Sequence, residues 1–279
     1  MADLHTHSTA SDGLLAPAAL VEEAVRRGLR AIALTDHDTV DGLAEAIAAG
    51  ARRGVEVVPG VELGTDARPH EVHLLGYFVD RRSRRLREAL AAQAEHRRQR
   101  AARMVERLNE LGIEVTLAEV LALAGSGTVG RPHLARAIVA RGAAADVAEA
   151  FDRYLASGRP AYVHRQALSP EAAVALVRAA GGVPVLAHPL TTGDPEATVA
   201  RLLPAGLGGI EVDYGEYDAA ARAALRALAD RHGLIATGGS DYHGPGHKHG
   251  RELGGAVVSA ATVDLLRRAT RSTAGAEPT

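Results

Sequence analysis

Asp3-Leu4-His5-Thr6-His7-Ser8-Thr9-Ala10-Ser11-Asp12 is the stretch on which the reading of the whole chain turns. Side chains alternate between faces along an extended strand, so His5 and His7 point the same way, about 6 to 7 Å apart. That spacing suits two ligands on one metal ion. Asp12, in a Ser-Asp-Gly turn, can bring a carboxylate back to the same place. Two imidazoles and one acid do not close a site, so further donors are expected elsewhere.

Working outward, strands and helices alternate. Ala16 to Arg27 carries Leu20, Val21, Ala24 and Val25 at helical spacing and stops at Gly28, a C-cap residue. Ala31 to Thr35 reads as a buried strand running into Asp36-His37-Asp38; then come a helix over Gly42 to Arg53, a strand over Val55 to Glu62 and another over His70 to Val79. Such alternation predicts a parallel sheet or barrel. The rhythm breaks between Arg81 and Val163, where an Arg-rich helix to about Leu111 is followed by helical segments near Thr116, Arg131 and Ala145. This predicts a helical insertion, 81–163, in a barrel made of 1–80 and 164–271. Alternation resumes with strands over Val183 to Ala187, Gly209 to Asp213 and Leu234 to Thr237. A closing strand over Ala256 to Ser259 and a last helix are expected, with a disordered tail over 272–279.

Composition narrows the chemistry. The 279 residues, 47% of them hydrophobic, suffice for one large α/β barrel or a domain with an insertion. With no cysteine, the strong metal ligands are His, Asp and Glu, which makes Mn, Fe, Zn or Mg the candidate ions. A net charge of -2 argues against a basic surface for long nucleic acid but allows a local anion site. The chain starts almost at once with a strand, and no apolar run is long enough to span a bilayer, so a cytoplasmic protein is expected.

The unusual polar residues fall at strand ends or on strands: His5 and His7, His37, Glu62, His73, His188, then Asp241 and His243. With Asp12 they make six histidines and three carboxylates. The rim of a barrel is where catalytic groups converge. Because one ion takes about four to six ligands, nine donors imply two or three divalent ions sharing bridging groups, and Glu62, with two oxygens, is the natural bridge.

Asp-Leu-His-Thr-His with Ser-Asp-Gly, Leu-Thr-Asp-His-Asp, Gly-Val-Glu, the His-x-x-His strand ending at His73, Ala-His-Pro and Gly-Ser-Asp-Tyr-His together resemble the motifs of the PHP (polymerase and histidinol phosphatase) family. The resemblance implies a distorted seven-stranded β/α barrel with a trinuclear centre. By motif, His5, His7, Glu62 and Asp241 would hold one ion, Asp12, His37 and His243 a second, and Glu62, His73 and His188 a third. Gly130-Arg131-Pro132-His133, with the Gly158-Arg159-Pro160 segment, resembles the subgroup that removes the 3'-phosphate from nucleoside 3',5'-bisphosphates. Some members of that subgroup also degrade short RNA from its 5' end. There the insertion would roof the metals and grip the second phosphate.

The expected reaction is hydrolysis of a phosphate monoester through a metal-activated hydroxide, with Asp12, His188 and His243 as catalytic residues and His188 or His243 as proton donor. Metal ions acidify bound water and withdraw charge from phosphoryl oxygens, and unaided monoester hydrolysis is slow enough that acceleration reaches ~10²¹-fold. For the second phosphate, Arg97 and Arg100 share a helix face. Arg131 and His133 open a helix whose dipole also favours an anion. Asp36 and Asp38 are candidates to orient ligands from behind, while His247, Lys248 and His249 offer an anion contact or a surface loop. The partner expected is a nucleotide bisphosphate or short oligonucleotide. Rival readings are histidinol-phosphate phosphatase, a 5'-3' exoribonuclease, and a metal-stabilised regulatory or binding module. An amidohydrolase bridged by a carboxylated lysine is disfavoured, since the sole lysine, Lys248, lies in the final loop.

Overall fold

A computed structural model describes residues 1–67, 70–246 and 249–273. Seven strands form one sheet in chain order: β1 (Ala2–Thr6), β2 (Ala31–Leu34), β3 (Glu56–Ala67), β4 (His70–Tyr77), β5 (Val183–Leu186), β6 (Gly209–Tyr214) and β7 (Ile235–Gly239). The sheet curls until its edges meet, since the His7 amide donates to Tyr242 O at 2.9 Å just past β7. It is a distorted α/β barrel rather than an all-parallel one, because β4 runs antiparallel to both β3 and β5. The direct β3–β4 connection leaves no length for a crossover helix, and a parallel neighbour needs one. Reversal also explains how His73 reaches the rim from the first half of its strand.

The expected closing strand over 256–259 is instead a single antiparallel bridge from Val258 to Ala2. The last helix runs on to Thr273 and so takes in the first two residues of the predicted tail, and residues 274–279 lie outside the described residues.

Alternation along the strands builds two cores. One face, with Ile32, Leu34, Leu74, Leu186 and Ile210, packs on helices α1 (Pro17–Arg26), α2 (Leu43–Arg53), α7 (Pro170–Ala179) and α9 (Ala219–His232). The other, with Leu4, Ala33, Val58, Leu75, Tyr77 and Val185, fills the barrel, and α10 (Ala260–Thr273) plugs it with Val263 and Leu266. Between β4 and α7 the chain is helical: α3 (Arg84–Glu110), α4 (Leu117–Ala124), α5 (Arg131–Ala140) and α6 (Val147–Ala150), the last continuing as a π-helical turn over Phe151–Leu155. Met104, Leu108, Val120, Leu134 and Ile138 give these helices an apolar cluster of their own. The long α3 belongs to both bodies, since Leu86 and Leu90 at its start pack with the barrel.

Candidate metal centre

The strand parity of β1 is what aims its histidines. Asp3 pairs with Ile32 and Thr6 with Leu34, so three steps on β1 face two on β2 and a bulge falls at Leu4 and His5. Without it His5 and His7 would share the helix-facing side with Asp3; with it they turn to the barrel mouth. Close approach from β7 completes the placement, because a side chain on Gly239 would collide with the backbone of His5.

All nine expected donors gather there. Three sets of side-chain atoms lie mutually within 4.8 Å: His5, His7, Glu62 and Asp241; His7, Asp12, His37 and His243; and His37, Glu62 and His73. The first is the set expected by motif. The second adds His7 to the expected three, and the third has His37 in place of His188. Yet His188 is not distant, for its Nε2 lies 3.0 Å from Glu62 Oε1 and the His73 Nδ1 lies 2.8 Å from the same oxygen. Glu62 Oε2 meets the other side of the cluster, 3.3 Å from His5 Nε2, 3.3 Å from His7 Nε2 and 3.0 Å from His37 Nδ1.

These separations favour a cation. Two donors each about 2.1 Å from one ion stand about 3.0 to 3.4 Å apart at coordination angles of 90 to 110°. His5 Nε2, His7 Nε2, His37 Nδ1, Asp12 Oδ1 and Glu62 Oε2 are buried and make no hydrogen bond. Buried polar atoms are normally satisfied, and so many orphans in one place point to a group they would ligate. The charges agree. Against burial, which pushes their pKa up, His37 and His5 hold Glu62, His37 and His243 hold Asp12, and His5 and Arg251 hold Asp241 well below the carboxylate range. The anionic pocket in turn raises His7 to about 10 despite its burial, since the Asp241 and Glu62 carboxylates stand 3.1 and 3.3 Å from its Nε2.

Groups behind these side chains hold them in place. Asp36 accepts from the Ser8 amide at 2.7 Å, Ser8 Oγ at 2.7 Å and Ser11 Oγ at 2.6 Å, so it braces the loop that carries Asp12 and makes no such bond to its neighbour His37. Asp3 does the same for the β7 loop, accepting from the Ser240 amide and hydroxyl at 2.9 and 2.6 Å. Asp241 Oδ2 takes Tyr214 Oη at 2.8 Å and Arg251 at 2.6 Å, which leaves Oδ1 facing His5 and His7. Among the described residues, three of the four non-glycine residues with positive φ, Asp38, His188 and Asp241, sit at this rim. Asp3, Glu211, Tyr214 and Arg251 were not singled out from sequence; a buried acid inside a strand, Glu211 in Gly-Ile-Glu-Val-Asp, was the available signal.

Of the expected phosphate-binding residues, Arg97, Arg100 and Arg131 line one cleft with Gly130. Arg97 bonds Asp38 Oδ2 at 2.6 Å, and Arg165, a cation the sequence reading passed over, meets the same oxygen at 2.5 Å. Arg100 is buried and donates to Val163 O at 2.7 Å, and the Arg131 guanidinium stands over the rings of Phe151 and Tyr162. His133 Nδ1 accepts from the Gly130 amide at 3.0 Å, and burial, helped by Arg136 and Arg97, lowers its pKa to about 4. Tyr242 packs in the barrel's outer core. Of the final loop, His249 Nδ1 lies 3.5 Å from a Glu252 oxygen, while His247 and Lys248 lie outside the described residues.

A barrel whose mouth collects six imidazoles and three carboxylates around shared oxygens defines a metal-dependent hydrolase. Residues 3–158 match the PHP domain family. The chain is 38% identical over 257 residues, 90% of each chain, to a 3',5'-nucleoside bisphosphate phosphatase of Chromobacterium violaceum. It is 39% identical to the 5'-3' exoribonuclease Rnm of Escherichia coli K12, over 87% of this chain and 85% of that one. A crystal structure from Bifidobacterium adolescentis, described as a metal-dependent phosphoesterase, superposes with a TM-score of 0.88 at 33% identity, covering 95% of this chain and 94% of the other. The protein belongs to the PHP family and is a metal-dependent phosphoesterase. No helix among the described residues is long and apolar enough to cross a membrane.

Proposed function

We propose that this enzyme removes the 3'-phosphate of nucleoside 3',5'-bisphosphates. The supporting observation is that the cleft of Arg97, Arg100 and Arg131 opens beside the ligand cluster: a side chain on Gly130 would stand 3.5 Å from an Arg97 nitrogen and 4.0 Å from Asp12 Oδ2. One phosphate at the ligands and a second under the helical cap match a substrate with two phosphates a ribose apart.

In this reading residues 81–163 form the cap on a barrel of 1–80 and 164–271, and His5, His7, Asp12, His37, Glu62, His73, His188, Asp241 and His243 hold two or three divalent ions, Mn, Fe, Zn or Mg. When bound, such ions supply an activated water and neutralise charge on the phosphoryl oxygens. The chain's own part is positioning and proton transfer. Asp12, braced by Asp36 through Ser8 and Ser11, and Glu62 set the spacing of the reacting centre. Whichever of His188 and His243 is not fully committed to an ion donates a proton to the departing ribose oxygen from the rim. Arg97 and Arg131 meet the second phosphate with Arg100 behind them, and the neutral His133, whose Nδ1 accepts from Gly130, has Nε2–H to donate.

The test compares initial rates on a nucleoside 3',5'-bisphosphate, histidinol phosphate and p-nitrophenyl phosphate, before and after chelation. Two charge-assisted bonds to the second phosphate should favour the bisphosphate by about a hundredfold in kcat/KM. Equal rates on bisphosphate and simple monoester would reject the assignment, and metallated protein inactive on every phosphoester would favour a binding module. A second reading, 5'-3' exonucleolysis of short RNA, is favoured by the similar identity to the Escherichia coli exoribonuclease. Release of mononucleotides from a 5'-phosphorylated trinucleotide would establish it.

A further inference from the structure

Glu211 is buried in the wall of the barrel with no exposed surface, and neither Arg nor Lys pairs with it among the described residues. Its Oε1 lies 2.9 Å from His5 Nδ1, and its Oε2 accepts the backbone amide of His188 at 2.7 Å. One carboxylate therefore holds two of the proposed ligands, from β1 and from the end of β5, in different ways. With the His5 proton on Nδ1 and donated to Glu211, the lone pair of Nε2 is directed at Glu62 and Asp241, 3.3 and 3.5 Å away. On His188 it holds a backbone with φ 27 and ψ 61, a region that a histidine seldom occupies, and that backbone turns the ring onto Glu62 Oε1. The two imidazoles stack 6.0 Å apart, with Glu211 bonded to both residues.

Local geometry suits this role. β1 and β6 each carry a shift in register, at Leu4–His5 and between Glu211 and Asp213, so a bulge lies beside each partner in the His5–Glu211 pair. A β-bulge re-aims a side chain, and here both strands direct a polar group into the barrel wall where a strict pleat would be apolar.

We propose that Glu211 is a positioning residue that sets the His5 tautomer and the His188 backbone together, so that both proposed ligand positions depend on one buried carboxylate. This rests on the metal-centre reading and not on the identity of the substrate. A partner of this kind is worth about 10- to 100-fold in metal affinity.

The experiment uses the full-length protein and zinc. Glu211→Gln keeps the volume but turns an N–H₂ group toward a donor, His5 Nδ1–H or the His188 amide. It should lower zinc affinity by about 10- to 100-fold in competition titration. Histidine ¹⁵N spectra of the zinc-loaded protein should also lose the single Nδ1–H form of His5, a change that loosened packing alone would not cause. Should the amide fail to fold, Glu211→Asp keeps the charge but is too short to span both contacts, and the same loss is expected. Wild-type zinc affinity in either folded variant overturns the proposal. A wild-type protein that binds no metal would instead remove the metal-centre reading, and this assignment with it.

Discussion

Arg97, on the long helix α3, donates Nε to Asp38 Oδ2 at 2.6 Å, one residue along the chain from His37. Arg165, just past the helical segment, reaches the same oxygen, and the Asp38 side chain is fully buried beneath the two guanidinium groups. The ion triad thus ties the helices to the barrel beside the donor cluster. Asp38→Asn removes the anion from between two nearly buried cations, and breaking such a pair costs about 3 to 5 kcal/mol. Urea unfolding should register a loss of this size, and a change below about 0.5 kcal/mol would mean the triad is a solvated surface pair.

Arg131→Ala should reduce turnover of a nucleoside 3',5'-bisphosphate about ten- to a hundredfold while leaving p-nitrophenyl phosphate nearly unchanged. The split is the diagnostic, because Arg131 lines the cleft and is not among the ligand sets. Equal losses on both substrates would mean that its packing on Phe151 and Tyr162 is its whole contribution.

Gly127 lies where a Cβ would come 2.5 Å from Thr9 O and 2.8 Å from Ser11 O, and the next residue, Thr128, donates its amide to Ala10 O at 3.0 Å. Gly127→Val must push this loop off the Ser8–Asp12 turn. The KM for the bisphosphate should rise several-fold with the melting temperature little changed; an unaltered KM would show that this contact does not position the helical segment over the Ser8–Asp12 turn.

Stability should carry a titration from His133. Burial and the nearby arginines hold its pKa at about 4, against 6.5 for the free side chain, so the unfolded chain takes up the proton first as pH falls. Stability therefore declines from about pH 6.5 to about pH 4, and no further loss arises from this group below that. His133→Gln keeps an acceptor for the Gly130 amide and removes the titration. The wild-type minus variant difference in unfolding free energy should shrink between pH 7 and pH 5, and a constant difference would contradict the assignment.

Metal binding should stabilise the fold by linkage. At free metal a hundred times its dissociation constant the gain is about 2.7 kcal/mol, and Glu62→Gln, which alters the carboxylate that meets five histidines, should abolish most of it. Thermal scans of chelated and reloaded protein provide the measurement.

Much of this molecule is legible along the chain. Periodicity sets out the helices and most strands, because an element with one buried face must repeat its apolar residues at that element's pitch. The nine donors stand out because polar residues at strand ends break that repeat. What the linear order could not disclose is long-range. The reversal of β4, the bulge that turns His5 and His7 inward, and the single bridge standing where a closing strand was expected all depend on which backbone lies alongside. The same is true of Asp3, Asp38, Glu211 and Arg251, whose roles come from partners up to 251 positions away, as with Asp3 and Gly254. Residue type and spacing determine which groups can ligate, whereas the closure of the barrel decides which oxygen faces which nitrogen, since hydrogen bonds act over 3 Å whatever the separation in sequence.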